Sequence, residues 1–547
     1  GNNITYVVPK GGILDLNNFE TQSQVGRIQA NLDKTWRNLH GINAIAGGEI
    51  SEKILNSNNE RAYGYSDRTL SVGNVDYVNN YIWYGNLGSS QVPQIKGFGK
   101  RTDRFVSVYA NATYTFDNRY MFSASGRRDA VNLFGTNTND KWKPVWTIGG
   151  AWIVSNESFY KVKPVSFLKL RASYGYQGNV NNAIFPYTII NYGGSGFFVS
   201  LPYASISVPG NPDLTWESIN HLNLALDFRL FENRVSGSFE TYRKKSDNLI
   251  YLYLIDPTTG LNSVTRNSAG LLDKGIELNI NSVNIDRAFK WHTELGFSHT
   301  TTKVTDYSLN DKQRTASGFV GSSTIITALK GKSPYAIYSY PFAGLDPANG
   351  DPQGYLDKQV SKNYLSIFNQ SIDTANLIYH GSALPVNYGF LNNVFSYKGI
   401  SLTISISYKL NYYFRKNTIS YFNLYRSGEQ HPDYTRRWKA PGDEKSTTVP
   451  SMVYPLSNAR RDDFYAKSSV NVLKGDHIRM EFIRLDYNMN KSMIKKIPVK
   501  GIGFFASVDN IGILWRANKE GLDPDYDQGN SAFPPPKRMA FGFNIEL

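Results

Sequence analysis

Residues 104–128 read RFVSVYANATYTFDNRYMFSASGRR, and their side chains alternate. Val106, Val108, Ala110, Ala112, Tyr114 and Phe116 share one parity; Ser107, Asn111, Thr113 and Thr115 share the other. Beyond a tight Asp117–Asn118 turn, Tyr120, Phe122 and Ala124 fall on one face, and Ser123, Ser125 and Arg127 on the other. A period of two predicts a pair of antiparallel strands with one apolar and one polar face. The apolar face has to be covered, either by a protein core or by lipid.

The pattern recurs along the chain. Leu222, Leu224, Leu226, Phe228 and Leu230 alternate with Asn223, Asp227 and Arg229. In GISLTISISYKL, Ile400, Leu402, Ile404, Ile406, Tyr408 and Leu410 oppose Ser401, Thr403, Ser405, Ser407 and Lys409. About 15 such strands are predicted, most near the ~9–11 residues that cross a bilayer at a tilt. They fall near 24–36, 39–52, 104–116, 119–129, 142–153, 166–176, 218–230, 234–245, 273–285, 289–303, 385–397, 400–413, 476–489, 500–511 and 537–547. Their connections alternate between short (37–38, 117–118, 154–165, 231–233, 286–288, 398–399, 490–499) and long (53–103, 130–141, 177–217, 246–272, 304–384, 414–475, 512–536). Short turns on one side and long loops on the other is the plan of an outer-membrane barrel. A soluble propeller or stack of sandwiches would also alternate, but the hairpins have no constant blade length. The polar parity carries full charges (Asp227, Arg229, Glu277, Glu294, Lys409), as a water-filled lumen allows. The fold class expected is therefore all-β, a transmembrane antiparallel β-barrel with its apolar face in lipid.

Parity adds an expectation about completeness. If Leu547 ends on the periplasmic side, the strand at 24–36 runs from outside to periplasm, and an odd number of strands is missing upstream. Residues 1–547 are then the C-terminal portion of a longer barrel.

Composition narrows the function classes. The absence of cysteine removes disulfide frameworks, thiolate metal sites and cysteine nucleophiles. The net charge of +14 is scattered among interspersed acids, so no nucleic-acid partner is expected. The seven histidines (His40, His221, His292, His299, His380, His431, His477) lack metal spacing. DPANGDPQGY at 346–355 superficially resembles a calcium loop, but Asp-Pro and Asn-Gly turn chemistry explains it better. NPDLTWE at 211–217 reads as a lead-in to a strand. No catalytic constellation, metal or cofactor is expected.

Several stretches, in order, resemble the SusC/RagA-type TonB-dependent transporters of the Bacteroidetes outer membrane. They include SASGRRDAVNLFG (123–135), WTIGGAWIVSNESF (146–159), LKLRASYGYQGN (168–179), NPDLTWESINHLNLALDFRLFENRVSGSFETYRKKSDNLI (211–250) and DKGIELNI (273–280). YPFAGLDPANGDPQGY (340–355), RRWKAPGDEKSTTVPS (436–451), IRMEFIRLDYNM (478–489) and FPPPKRMAFGFNIEL (533–547) continue the series. The resemblance implies a barrel of about 22 strands with a plug in its lumen, of which about 15 strands and no plug are expected in this chain. It departs from many barrels in ending on Leu547 rather than Phe. The resemblance also implies TonB-driven import of oligosaccharides or oligopeptides beneath a SusD-like surface lipoprotein; a passive porin or export channel is the alternative. Aromatic residues in long outer loops offer stacking faces for such ligands. The segment 183–203 is richest, making Tyr187, Tyr192, Phe197, Phe198 and Tyr203 the candidate substrate contacts; loop packing or a lid contact would explain them equally. Trp142, Trp146, Trp152 and Trp291, at strand ends, are expected in interfacial girdles.

Overall fold

The computed structural model describes all residues except 1–5, 83–87, 133–141, 180–183, 185, 196–200, 262, 308–314, 322–328, 372–375, 456–458, 491–498, 527–534 and 547. Its dominant element is a 15-stranded antiparallel sheet in which every strand pairs with its neighbours in sequence. The strands are β1 (Gly12–Trp36), β2 (His40–Tyr65), β3 (Lys96–Phe116), β4 (Tyr120–Val131), β5 (Trp142–Ile153), β6 (Val165–Asn179), β7 (Glu217–Leu230) and β8 (Val235–Leu254). They continue as β9 (Ser263–Asp286), β10 (Phe289–Tyr307), β11 (Asn387–Tyr397), β12 (Ile400–Leu410), β13 (His477–Asn490), β14 (Gly501–Arg516) and β15 (Arg538–Glu546). Both edge strands run toward the short-turn side, and β1 and β15 are not paired with each other.

Register explains why alternation in each strand becomes a property of the whole wall. Ala44 lies opposite Ala112, Ala112 opposite Ala124, Ala124 opposite Ile148, Ile148 opposite Tyr174, and Tyr174 opposite Leu222. The apolar parities thus join into one continuous face. Its large side chains are exposed to the surroundings: Val108, Phe122, Ile148, Leu224, Leu485 and Phe504 among them. The opposite face is charged. Arg171 donates to both carboxylate oxygens of Asp227 (2.8 and 2.9 Å) and to Glu240 (3.0 Å), tying β6, β7 and β8 together. Apolar outside and ionic inside is the reverse of a soluble protein, and it suits a wall between lipid and water.

The turns carry the chemistry their geometry demands. Asp117 and Asn118 both have positive φ (51° and 50°), as does the Lys398–Gly399 pair (48° and 87°), matching mirror-image hairpin turns. At the short-turn end, aromatic rings form a chain: Trp36 with His40, His40 with Phe116, Phe116 with Tyr120, Tyr120 with Trp152, and Trp152 with Phe159. Trp152 also donates to Glu157, giving an amphipathic ring the wet partner an interface supplies. Trp291 joins a second aromatic group with Phe395 at the same end. Trp146 instead packs on Tyr174 higher up the wall, and the side chain of Trp142 lies outside the described residues.

Several strands run further on the long-loop side than expected, β3 among them, which begins at Lys96. β1 and β2 are 25 and 26 residues long, more than twice the ~9–11 residues needed to cross. Their upper halves therefore stand in water. Arg61 clasps Asp15 with two bonds of 2.6 and 2.7 Å near the tip. The segment 246–272, expected as a loop, is largely strand: β8 runs on to Leu254 and β9 begins at Ser263.

Candidate functional site

The long-loop side holds everything that is not wall. Of the predicted aromatic contacts, Tyr192 and Tyr203 sit on a small hairpin, Ile189–Ser195 paired with Pro202–Val208, and Tyr187 lies just before it. Tyr187, Tyr192 and Tyr203 are all exposed, Tyr192 at 84%. A side chain at Gly193 would meet the Tyr203 ring at 2.5 Å, so glycine there lets the ring lie across the hairpin. Phe197 and Phe198 lie outside the described residues.

The connections β10–β11 and β12–β13, expected only as long loops, fold into one unit with a core of its own. The strand Ala336–Ser339 is buried at every position and pairs with Ile378–Ser382. Phe319, Tyr338, Tyr340, Ile367 and Phe464 pack into one cluster, with Tyr340 1% and Phe464 0% exposed. Tyr340 and Phe464 stack at 5.6 Å, and Tyr364 stacks on the other side of Phe464 at 5.3 Å. The two connections interlock through a parallel bridge, in which Tyr340 donates to Lys467 O and Ser469 donates to Tyr340 O. The turn 346–350 uses Asp346 as the acceptor for Ala348 N, Gly350 N and Lys362 Nζ. Lys362 beside Asp346 holds its carboxyl below the usual range. Asp351 is taken by buried Arg461 at 2.6 Å. The residues of the supposed calcium loop are thus engaged in turn bonds and ion pairs, as turn chemistry requires.

A third loop bolts this unit to the wall. Arg479 and Lys409, on the charged face of β13 and β12, donate to Asp523 (2.6 Å) and Asp525 (2.9 Å). Burial opposes ionisation of Asp525, but His477 and Lys409 outweigh it and hold the carboxyl low. Lys416 and Arg436 reach Glu520 on the same loop. These links fix the loop unit over the lumen side of the strand ends.

Where β10 rises past the end of β11, the loop unit and the wall form a half-open cavity of about 610 Å³. Tyr335, Tyr379, Tyr388 and Tyr413 give it aromatic walls, and Thr300 and Thr302 supply hydroxyls. His380 lines it too, with Nε2 2.7 Å from Ser339 Oγ. Burial, together with nearby Arg415, pushes the His380 pKa down to about 4, so the ring is neutral. Arg415 is itself lowered to about 10 by burial and donates to the carbonyls of Gly321 and Tyr338. The Ser339–His380 pair is a structural bond: Ser339 is fully buried, beyond the reach of a substrate. The cavity's aromatic rings and hydroxyls suit binding of a polar, ring- or amide-bearing molecule. None of the candidate contacts in 183–203 lines this cavity, and nothing in the alternation marks 331–386 as lining one.

Comparison with known proteins agrees with this architecture. Residues 5–425 match the family model described as TonB dependent receptor-like, beta-barrel. TonB-dependent receptor P39 of Formosa agariphila is 25% identical over 572 residues, covering 94% of this chain and 52% of its own length. TonB-dependent receptor SusC of Bacteroides thetaiotaomicron is 25% identical over 464 residues, covering 81% of this chain and 43% of its own. The chain thus spans about half the length of the curated relatives it matches. Among solved structures, the RagAB peptide importer in its open-open state superposes with a TM-score of 0.76 at 18% identity, over 99% of this chain and 57% of that one. No helix among the described residues is long and apolar enough to cross a membrane; the strands do the crossing. The chain belongs to the TonB-dependent receptor β-barrel family, and is an outer-membrane protein.

Proposed function

We propose that this chain forms the wall and outer loops of a TonB-dependent importer of oligosaccharides or oligopeptides, working beneath a SusD-like surface lipoprotein. The observation that carries the reading is the loop unit itself: two long connections interlocked around an aromatic core and bolted to the lumen face through Arg479, Lys409, Asp523 and Asp525. A gated conduit needs such a rigid rim for a lid to close on; a passive pore has no use for it. The family supports TonB coupling, and the solved relative of similar fold is named a peptide importer.

In this reading the work is binding and movement, with no covalent step. Substrate is held against aromatic and hydroxyl-bearing loop surfaces, a lid closes, and TonB pulls on a plug. On this reading the fifteen strands are part of a larger barrel, because an unpaired strand edge in hydrocarbon leaves a row of unsatisfied backbone groups. Exposed Tyr187, Tyr192 and Tyr203 remain the proposed contacts for ligand or lid.

Gentle detergent extraction from native membranes, followed by mass spectrometry of the complex, tests the proposal. A co-purifying surface lipoprotein and a bound ligand of sugar or peptide mass are expected. A lone receptor that conducts small solutes without TonB would sink the import reading. Within a receptor that does import, Tyr192→Ala should weaken ligand or lid binding about two- to tenfold, the ~0.5–1.5 kcal/mol of an aromatic contact.

A further inference from the structure

The lipid-facing side of β7–β10 departs from its surroundings in one place. Register puts Leu222, Arg243, Lys274 and Thr301 in one row across these four strands, and Leu224, Thr241, Ile276 and His299 in the row beneath. Both rows have the outward parity. Together they line a groove of about 470 Å³ with an apolar floor (Leu222, Leu224, Ile276) and a cationic upper end (Arg243, Lys274). Lys303 extends the cations one row higher, opposite Leu272. Arg243, Lys274 and Lys303 are exposed. Lys245, in the same upper row, is answered by Asp247 at 3.0 Å, whereas these three have no ion-pair partner among the described residues.

Their height matters. Arg243 lies eight residues from the short-turn end of β8, and Lys274 twelve from that of β9. These positions bracket the ~9–11 residues that cross a bilayer. The cations therefore stand at the outer boundary of the hydrocarbon, with the apolar groove running down into it. A lipid-facing cation at that depth is stable when a headgroup anion meets it.

We infer that this groove is a binding site for a phosphate-bearing lipid of the outer leaflet, with Arg243, Lys274 and Lys303 on the phosphate and one acyl chain over Leu222, Leu224 and Ile276. Charge complementarity selects the anion, and the apolar floor selects a lipid over a free ion. The site is independent of what the receptor imports. Its role is to seat the β7–β10 wall, next to the cavity that Thr301 and Lys303 also line, against the leaflet.

The test uses the intact receptor, washed in detergent and reloaded with diphosphoryl lipid A, its dephosphorylated form, or inorganic phosphate, with native mass spectrometry counting retained ligand. The wild type should retain the diphosphorylated lipid, and the double variant Arg243→Gln/Lys274→Gln should retain about thirtyfold less, given about 1 kcal/mol per basic residue near a membrane surface. The charge-preserving Arg243→Lys/Lys274→Arg variant should bind like wild type, and Lys398→Gln, an exposed cation at the short-turn end, should change nothing. If the double variant does not assemble, Lys274→Gln alone should lose about fivefold. Equal retention by the glutamine variants overturns the proposal. So does equal retention of the dephosphorylated lipid, or displacement of the lipid by inorganic phosphate at matching concentration.

Discussion

The wall and the loop unit solve the same problem in opposite ways. In the wall, large apolar side chains such as Ile148 and Leu224 face outward and the ionic groups of Arg171, Asp227 and Glu240 face inward. In the loop unit, Tyr340 and Phe464 are sealed inside, and Lys362 and Asp346 ring the periphery. Each arrangement follows from its solvent. Strands in lipid must satisfy every backbone group within the sheet and need only apolar side chains outside. A loop unit in water has to bury its own core to repay the entropy of ordering a long connection. The two regions should therefore fail independently, and by different substitutions.

The largest effect is expected in the loop unit. Phe464→Ala removes a ring stacked between Tyr340 and Tyr364 and closed off by Gly354, where a side chain would come within 2.5 Å of it. The loss should be about 3–5 kcal/mol. Limited proteolysis should then cut within residues 316–470 while strand content and barrel migration stay unchanged. A wall that unfolds together with the loops would break the comparison. Next in size is the wall's own failure. Ile148→Arg places a cation on the lipid face, between Ala124 and Tyr174. It should cost about 2–4 kcal/mol near the bilayer midplane. Urea unfolding in phospholipid bilayers measures it, and the loop unit's protease resistance should be untouched.

The same contrast decides what could be read from the sequence. Wall strands were legible because one face meets lipid and the other water, which writes a period of two into residues such as 400–410. The order and pairing of all fifteen follow from it, and the Asp117–Asn118 turn was visible from its residue types. Where that asymmetry ends, legibility ends. The upper halves of β1 and β2 have water on both sides, so Asp15, Asn17, Asn18 and Glu20 show no apolar stripe. Beyond Ser246 a register shift, with Asn248 at φ 57°, moves the following residues to the other face, which hid the end of β8. NPDLTWE does lead into a strand, but it also buries Leu214 and Trp216 against Val131, a contact no local pattern announces. The loop unit was illegible for the same reason: its core joins residues 145 apart, Phe319 and Phe464, through irregular backbone. The tyrosines proposed from the sequence, Tyr187, Tyr192 and Tyr203, are exposed, while no local pattern announced the cavity of Tyr335, Tyr379, Tyr388 and Tyr413.

The smallest predicted effect separates the two regions by pH alone. His380 is held neutral in the folded loop unit, with its pKa pushed down to about 4 by burial. In the unfolded loop it titrates near 6.5. Between these values the unfolded state binds a proton that the folded state refuses, so stability falls as pH drops from about 6.5 toward 4. By pH 5 the loss should reach about 2 kcal/mol. The carboxylates of Asp346 and Asp525 are shifted below their ordinary values, so their contributions are lost only at lower pH, as they protonate. The expected result is a rise in loop proteolysis between pH 7 and 5, flattened in His380→Gln, with wall unfolding in bilayers unchanged over the same range. A pH dependence that survives His380→Gln would assign it to another group and remove the half-buried imidazole as the loop unit's acid-sensitive element.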